Sequence, residues 1–187
     1  MDKLQNTFED ILMSKVKRDG VESLINWLRT TDFYTAPAST RFHGSFEGGL
    51  ALHSLNVYHE LVRLDAAFNA GLDPESMALA ALCHDLCKIG YYKVSTRNVK
   101  NEATGVWEKK PFYKVEEDFP FGGHGSKSMF LLQHFVKLTP EEAAAINSHM
   151  GAWAKSDYTN PSAVYEDNML AWLLHVADEA ATYVDKT

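Results

Sequence analysis

The stretch from Asp73 to Tyr91, DPESMALAALCHDLCKIGY, constrains the fold more than any other. Asp73 offers a carboxylate to the open N–H groups of a helix start, Pro74 fits the first helical position, and Glu75 and Ser76 follow before an apolar run. Gly90 supplies the stop, since glycine takes the left-handed conformation that closes a helix without steric cost. Between these signals Met77, Leu79, Ala80, Leu82, Cys83 and Leu86 leave little polar surface, which predicts a central, buried helix. His84, Asp85 and Lys88 fall inside it. An imidazole beside a carboxylate is costly to bury without hydrogen bonds, an ion pair or a metal, so the adjacency needs one of these.

With 45% hydrophobic and 23% charged residues, the 187 positions suit one globular domain over 1–187 with a sizeable core. The balance of 18 basic against 25 acidic residues, a net charge of -7, argues against coating duplex nucleic acid or an anionic membrane by bulk charge. Any phosphate must be met by local charge. Residues 1–6 lack the apolar core of a signal peptide, and no apolar run approaches the roughly 20 residues that span a bilayer, so the expectation is a soluble, cytoplasmic protein. Cys83 and Cys87 stand four apart on one helix, suited to buried thiols in a reducing compartment; with no second cysteine pair, a zinc site built on these two is the lesser alternative.

Phe8, Ile11, Leu12 and Val16, then Val21, Leu24, Ile25 and Leu28, mark two short packing helices. From Asp32 to Gly49 turn formers dominate, and Arg41 and His43 sit among aromatics in this loop. Arg41 suits an anion clamp, although a solvated loop charge is the commoner case. A helix from about Gly49 to Ala70 carries Leu50, His53, Val57, Leu61, Leu64 and Phe68 on one stripe, so His53 faces inward; His59, about 240° further round, faces elsewhere.

Tyr91 to Pro120 abandons helical periodicity. YYKVSTRNVK and VWEKKPFYKVEE, separated by NEATG, predict a β-hairpin insertion over about 91–120. Over 91–117 six basic side chains exceed four acidic ones by two, which fits a lid that meets an anion or, equally, strand charges that discourage edge pairing. His124 lies at the glycine-rich start of a following helix, and Thr139-Pro140-Glu141-Glu142 caps the next, which carries His149. Gly151 to Asp167 reads as an irregular connection. A last apolar helix, from about Glu166 to Thr182, holds Asp178 and, one turn earlier, His175, a packed histidine or a supporting partner of the site.

His53, His84-Asp85, His124, His149 and Asp178 thus occur in the order H, HD, H, H, D, on or beside five helices. This order, with GGLALHSLNV, LCHDLCKIG, HGSKS, INSHMG and LLHVADEA, resembles the HD-domain metal-dependent phosphohydrolase superfamily over nearly the whole stretch from Arg41 to Asp185. The pattern looks like that of stand-alone HD hydrolases and of the HD domain attached to a bacterial 3'-to-5' exoribonuclease. The resemblance implies an all-α helical bundle with the hairpin inserted. It also implies one or two divalent transition metal ions (Mn, Fe, Ni, Co or Zn), held by His53, His84, Asp85 and Asp178 at a first position and by His124 and His149 at a second, with Asp85 bridging. Nitrogen and carboxylate donors suit such metals better than calcium. Four neutral imidazoles and two carboxylates around two divalent ions leave about +2, enough to draw a phosphate into an acidic protein.

The resemblance further implies that a metal-activated hydroxide attacks a phosphate ester of a nucleotide or similar small molecule, with Asp85 and Lys88 catalytic. Lys88 is expected to hold the phosphate, and Arg41 and Lys127 are lesser substrate-binding candidates. The oligomeric state stays open. Two alternatives share the pattern: a di-iron oxygenase of the myo-inositol oxygenase type, and a non-catalytic HD signalling module.

Overall fold

The structure, a computed structural model, describes residues 2–41, 43–115, 123–153 and 161–184. Two helices open the chain, α1 (Asp2–Lys15) and α2 (Val21–Thr30). Phe8 and Leu12 on α1 and Leu24 and Leu28 on α2 are fully buried, as their spacing predicts. A turn-rich segment leads to α3 (Gly49–Phe68), which ends on Asn69 in the left-handed conformation. His53 is buried on α3 and His59 exposed. Phe68, expected on the buried stripe, is instead 56% exposed at the helix end, with its ring edge toward Trp172.

Next comes α4 (Pro74–Cys83), where the Asp73 carboxylate accepts the Ser76 N–H at 2.9 Å and every residue from Met77 to Cys83 is buried. It is shorter than the sequence predicts. After Cys83 the chain turns, and Leu86–Lys88 forms a 3-10 turn, so His84, Asp85 and Lys88 lie at and beyond the helix end rather than inside it. Asp85 sits at φ -111, ψ 22, outside helical values. The Cys87 N–H, which a continuing helix would give to the Cys83 carbonyl, goes at 3.1 Å to Ser128 Oγ on the later helix α5 (His124–Gln133).

The hairpin forms as predicted from β1 (Tyr92–Lys100) and β2 (Trp107–Val115), antiparallel with Tyr92 opposite Val115 and Lys100 opposite Trp107. Its turn is held by Asn101, whose side-chain oxygen accepts the Ala103 and Thr104 N–H groups, and by Gly105 at φ 69. The expected continuation over 116–120 lies outside the described residues.

Beyond α5, the helix α6 (Pro140–Ser148) begins with a reciprocal capping box between Thr139 and Glu142. A 3-10 turn, Gly151–Trp153, follows; of the predicted irregular connection, 154–160 lies outside the described residues. The predicted last helix is α8 (Met169–Tyr183), which Asn168 caps by accepting the Ala171 N–H at 3.1 Å, whereas the stretch expected to be an irregular connection contains a helix of its own, α7 (Pro161–Asp167).

Packing centres on α3, which lies against α8, α4 and α1, while α6 contacts α4, α5 and α8. Among the described residues one apolar cluster runs from Phe8 to Ala181. The described chain is therefore mostly helical with one two-stranded sheet, which corrects the all-α label to that extent. Among the described residues no helix is long and apolar enough to cross a membrane.

Candidate metal centre

Two histidines are set by the same local device. His84 caps the C-terminus of α4 and His149 that of α6, and in each the ring turns Nδ1 back to the carbonyl three residues earlier: Ala81 at 2.7 Å and Ile146 at 2.7 Å. A carbonyl oxygen only accepts, so both Nδ1 atoms carry the proton and both Nε2 atoms present a lone pair. His53, from α3, brings a third Nε2. All three Nε2 atoms are buried and make no aligned hydrogen bond.

These atoms face two carboxylates. His53 Nε2 lies 3.0 Å from Asp178 Oδ1 and 3.8 Å from Asp85 Oδ2. His84 Nε2 lies 3.5 Å from Asp85 Oδ2 and 3.9 Å from Asp178 Oδ1, while His149 Nε2 is 3.7 Å from Asp85 Oδ1. Lone pairs thus converge on carboxylate oxygens in a buried interior, an arrangement that added positive charge stabilises. Ligands 2.0–2.2 Å from one cation stand roughly 3 to 3.5 Å apart, close to the spacings found.

The titration behaviour follows from this geometry. Burial alone would raise both carboxyls, but Lys88 and His84 hold Asp85 well below the usual range, and His53 does the same for Asp178. For His84, burial pushes downward and the pull of Asp85 and Asp178 outweighs it, so its pKa rises. His149, buried and beside His84, falls to about 4 and stays neutral near pH 7. Lys88 Nζ sits 2.6 Å from Asp85 Oδ2 with only 9% of the residue exposed; burial would lower its pKa, and Asp85 more than reverses this.

Among the described residues three donor groups close to within 4.8 Å: His53 with His84 and Asp85, His84 with His149 and Asp178, and Asp85 with Cys87 and His124. All six side chains named from the sequence therefore fall in these groups. Cys87 completes the group holding His124, and His149 joins His84 and Asp178. The two oxygens of Asp85 look to different sides, Oδ2 toward Lys88, His84 and His53, Oδ1 toward His149 and, at 3.7 Å, Cys87 Sγ.

Of the weaker candidates, Arg41 is exposed and lines a cleft of about 490 Å³ with Phe46, Arg97, Phe112 and Tyr113, while Lys127 is half-buried one turn into α5. The loop residue that reaches the centre is His43. Its ring stacks at a tilt 4.7 Å from that of His53, both its nitrogens are shielded and make no hydrogen bond, and burial with His53 nearby lowers its pKa to about 4. The loop closes over α3 at Gly44 and Gly48-Gly49: a Cβ on Gly49 would stand 2.0 Å from the Gly44 carbonyl oxygen, so only glycine fits there. His175 acts as a support, its Nδ1 2.7 Å from the His149 carbonyl.

Shielded imidazole lone pairs facing carboxylates make a group able to hold a metal ion. The chain matched no curated protein and no solved structure. The family model of the HD domain, however, matches residues 50–182, the span that runs from α3 to the end of α8 and contains all six of those histidines and aspartates. On that match the chain belongs to the HD domain family.

Proposed function

We propose that this chain is a metal-dependent phosphohydrolase acting on a small phosphate ester, with nucleotides as the first class to try. HD domains bind divalent metals and are in general metal-dependent phosphohydrolases. The observation that carries the reading is the convergence of three unpartnered Nε2 atoms on Asp85 and Asp178. His53, His84, Asp85 and Asp178 would hold one cation, and Asp85 would share a second with His124 and His149. A bound divalent cation supplies Lewis acidity toward a phosphoryl oxygen and a water acidic enough to attack near neutral pH.

The chain's own groups do the rest. Lys88 spends one of three N–H donors on Asp85, which fixes its position beside the cations and leaves donors to meet a phosphate oxygen. The buried apolar walls of α3, α4 and α8 strengthen each of these charge contacts. Phe46 lines both the crevice beside His43 and His53 and the cleft of Arg41, Arg97, Phe112 and Tyr113. That cleft offers cationic and aromatic contacts to the part of a nucleotide that does not react.

The test is metal analysis of the purified protein with a manganese-supplemented screen of phosphomonoesters, nucleotides and phosphodiesters. Asp85→Asn should lose bound metal and at least about a hundredfold in turnover, with helical circular dichroism retained. Undiminished turnover in that variant, or iron-dependent oxygen uptake without phosphate release, overturns the reading.

A further inference from the structure

Phosphate hydrolysis as proposed makes no use of Cys87, yet this thiol stands among the metal donors. It is fully buried, with Sγ 3.2 Å from His124 Nδ1 and 3.7 Å from Asp85 Oδ1. A cation bound 2.3 Å from sulfur and about 2.1 Å from nitrogen or oxygen, with tetrahedral angles, sets its ligands about 3.5 Å apart, and the two observed separations bracket that value. Cys83, equally buried, has a different setting: it lies on α4 inside the apolar cluster. The two cysteines therefore do not form a pair, and the thiol that matters is the one beyond the helix end.

Three features aim Cys87 at this position. The break after Cys83 swings it off the path of α4, its N–H is pinned to Ser128 Oγ on α5, and α5 begins with His124 itself. The same Asp85 Oδ1 has the Nε2 of His149, which makes no hydrogen bond, 3.7 Å away.

We infer that Cys87 is a thiolate ligand on the His124 side of the centre, adding sulfur to the Asp85, His124 and His149 donors proposed there and so favouring zinc, cobalt or cadmium over manganese or magnesium. Sulfur is a soft donor and selects such cations, whereas the His53 side, with nitrogen and oxygen only, does not discriminate in this way. On binding, the thiol proton leaves to solvent as the metal–sulfur bond forms, so uptake at this position releases a proton. This inference rests on the metal-centre reading above and adds a ligand to it.

Cobalt separates the two. The 187-residue chain, stripped and reloaded with cobalt(II), should show a near-ultraviolet sulfur-to-cobalt charge-transfer band. The band should persist in Cys83→Ala and vanish in Cys87→Ser, while cobalt stays bound through the remaining histidines and aspartates and zinc affinity falls about tenfold or more. Cobalt bound by the unaltered protein without that band, or a band surviving in Cys87→Ser, overturns the Cys87 assignment and leaves the centre standing. Failure of the unaltered protein to bind cobalt at all overturns both. The natural chain and Cys83→Ala suffice for the presence and the source of the band, so poor folding of Cys87→Ser leaves the test decisive.

Discussion

Lys88 illustrates how a single side chain is fixed by its neighbours. Asp85 lies at φ -111, and the 3-10 turn after it carries Lys88 back so that Nζ reaches Oδ2 of the same Asp85 at 2.6 Å. Each ion would be expensive to bury alone, and together they offset one another's desolvation. Lys88→Ala should therefore retain bound metal but lose about tenfold or more in kcat/KM toward phosphate esters, a change of about 1.4 kcal/mol. His59→Ala, exposed on α3, should stay within about twofold of the natural protein in both measurements. Equal loss of activity in the two variants would remove Lys88 from the reaction. Spacing along the sequence puts Lys88 on the side of His84 and Asp85 but misses how it arrives, because helical phase is assumed to run through a stretch where the helix has already ended.

At the level of elements, the approach of α5 to α6 decides where His124 lies. A Cβ on Gly125 would stand 2.3 Å from the Asn147 carbonyl oxygen and 2.5 Å from that of Ile146, both backbone atoms that cannot swing away. Gly125→Ala should push the two helices apart, cost about 1 to 3 kcal/mol in thermal or denaturant unfolding, and weaken metal binding on the His124 side. Unchanged stability and unchanged metal content would contradict that packing. The sequence shows a glycine-rich helix start at this point but not the reason for it, since the obstructing carbonyls belong to the next helix, α6. The same holds for His43, whose path to His53 depends on Gly49 passing close to Gly44.

Across the whole molecule, the N-terminal helices α1 and α2 lie outside the family match at 50–182 and are tied to it by Arg18. Its guanidinium donates to both oxygens of Glu142, at 2.6 and 2.5 Å, and to the Lys137 carbonyl at 3.1 Å; Glu142 is fully buried and also accepts from Ser76 and the Thr139 N–H. Arg18→Ala should destabilise by about 2 to 4 kcal/mol, because it strands a buried carboxylate. Burial acts to raise the Glu142 pKa, but hydrogen bonds from Arg18, Ser76 and Thr139 lower it below the ordinary 4.5. A carboxyl held low in the folded state contributes stability that is fully present above about pH 4.5 and is lost as pH falls through the folded value. Unfolding measured against pH should therefore show a shallower acid limb in Glu142→Gln than in the natural protein; identical slopes would show that the pair carries no such linkage.

Sequence alone determined the order H, HD, H, H, D, the helix starts at Asp73 and Thr139, and the hairpin around Asn101, because caps, turns and periodicity act between residues a few positions apart. Tertiary structure decided the rest: that α4 ends at Cys83, that Asp85 turns its two oxygens to opposite sides, that His43 reaches the centre while Arg41 stays exposed, and that Cys87 rather than Cys83 stands beside His124. These outcomes hinge on hydrogen bonds and close contacts between distant segments, such as Ser128 with Cys87, and one-dimensional spacing does not encode them.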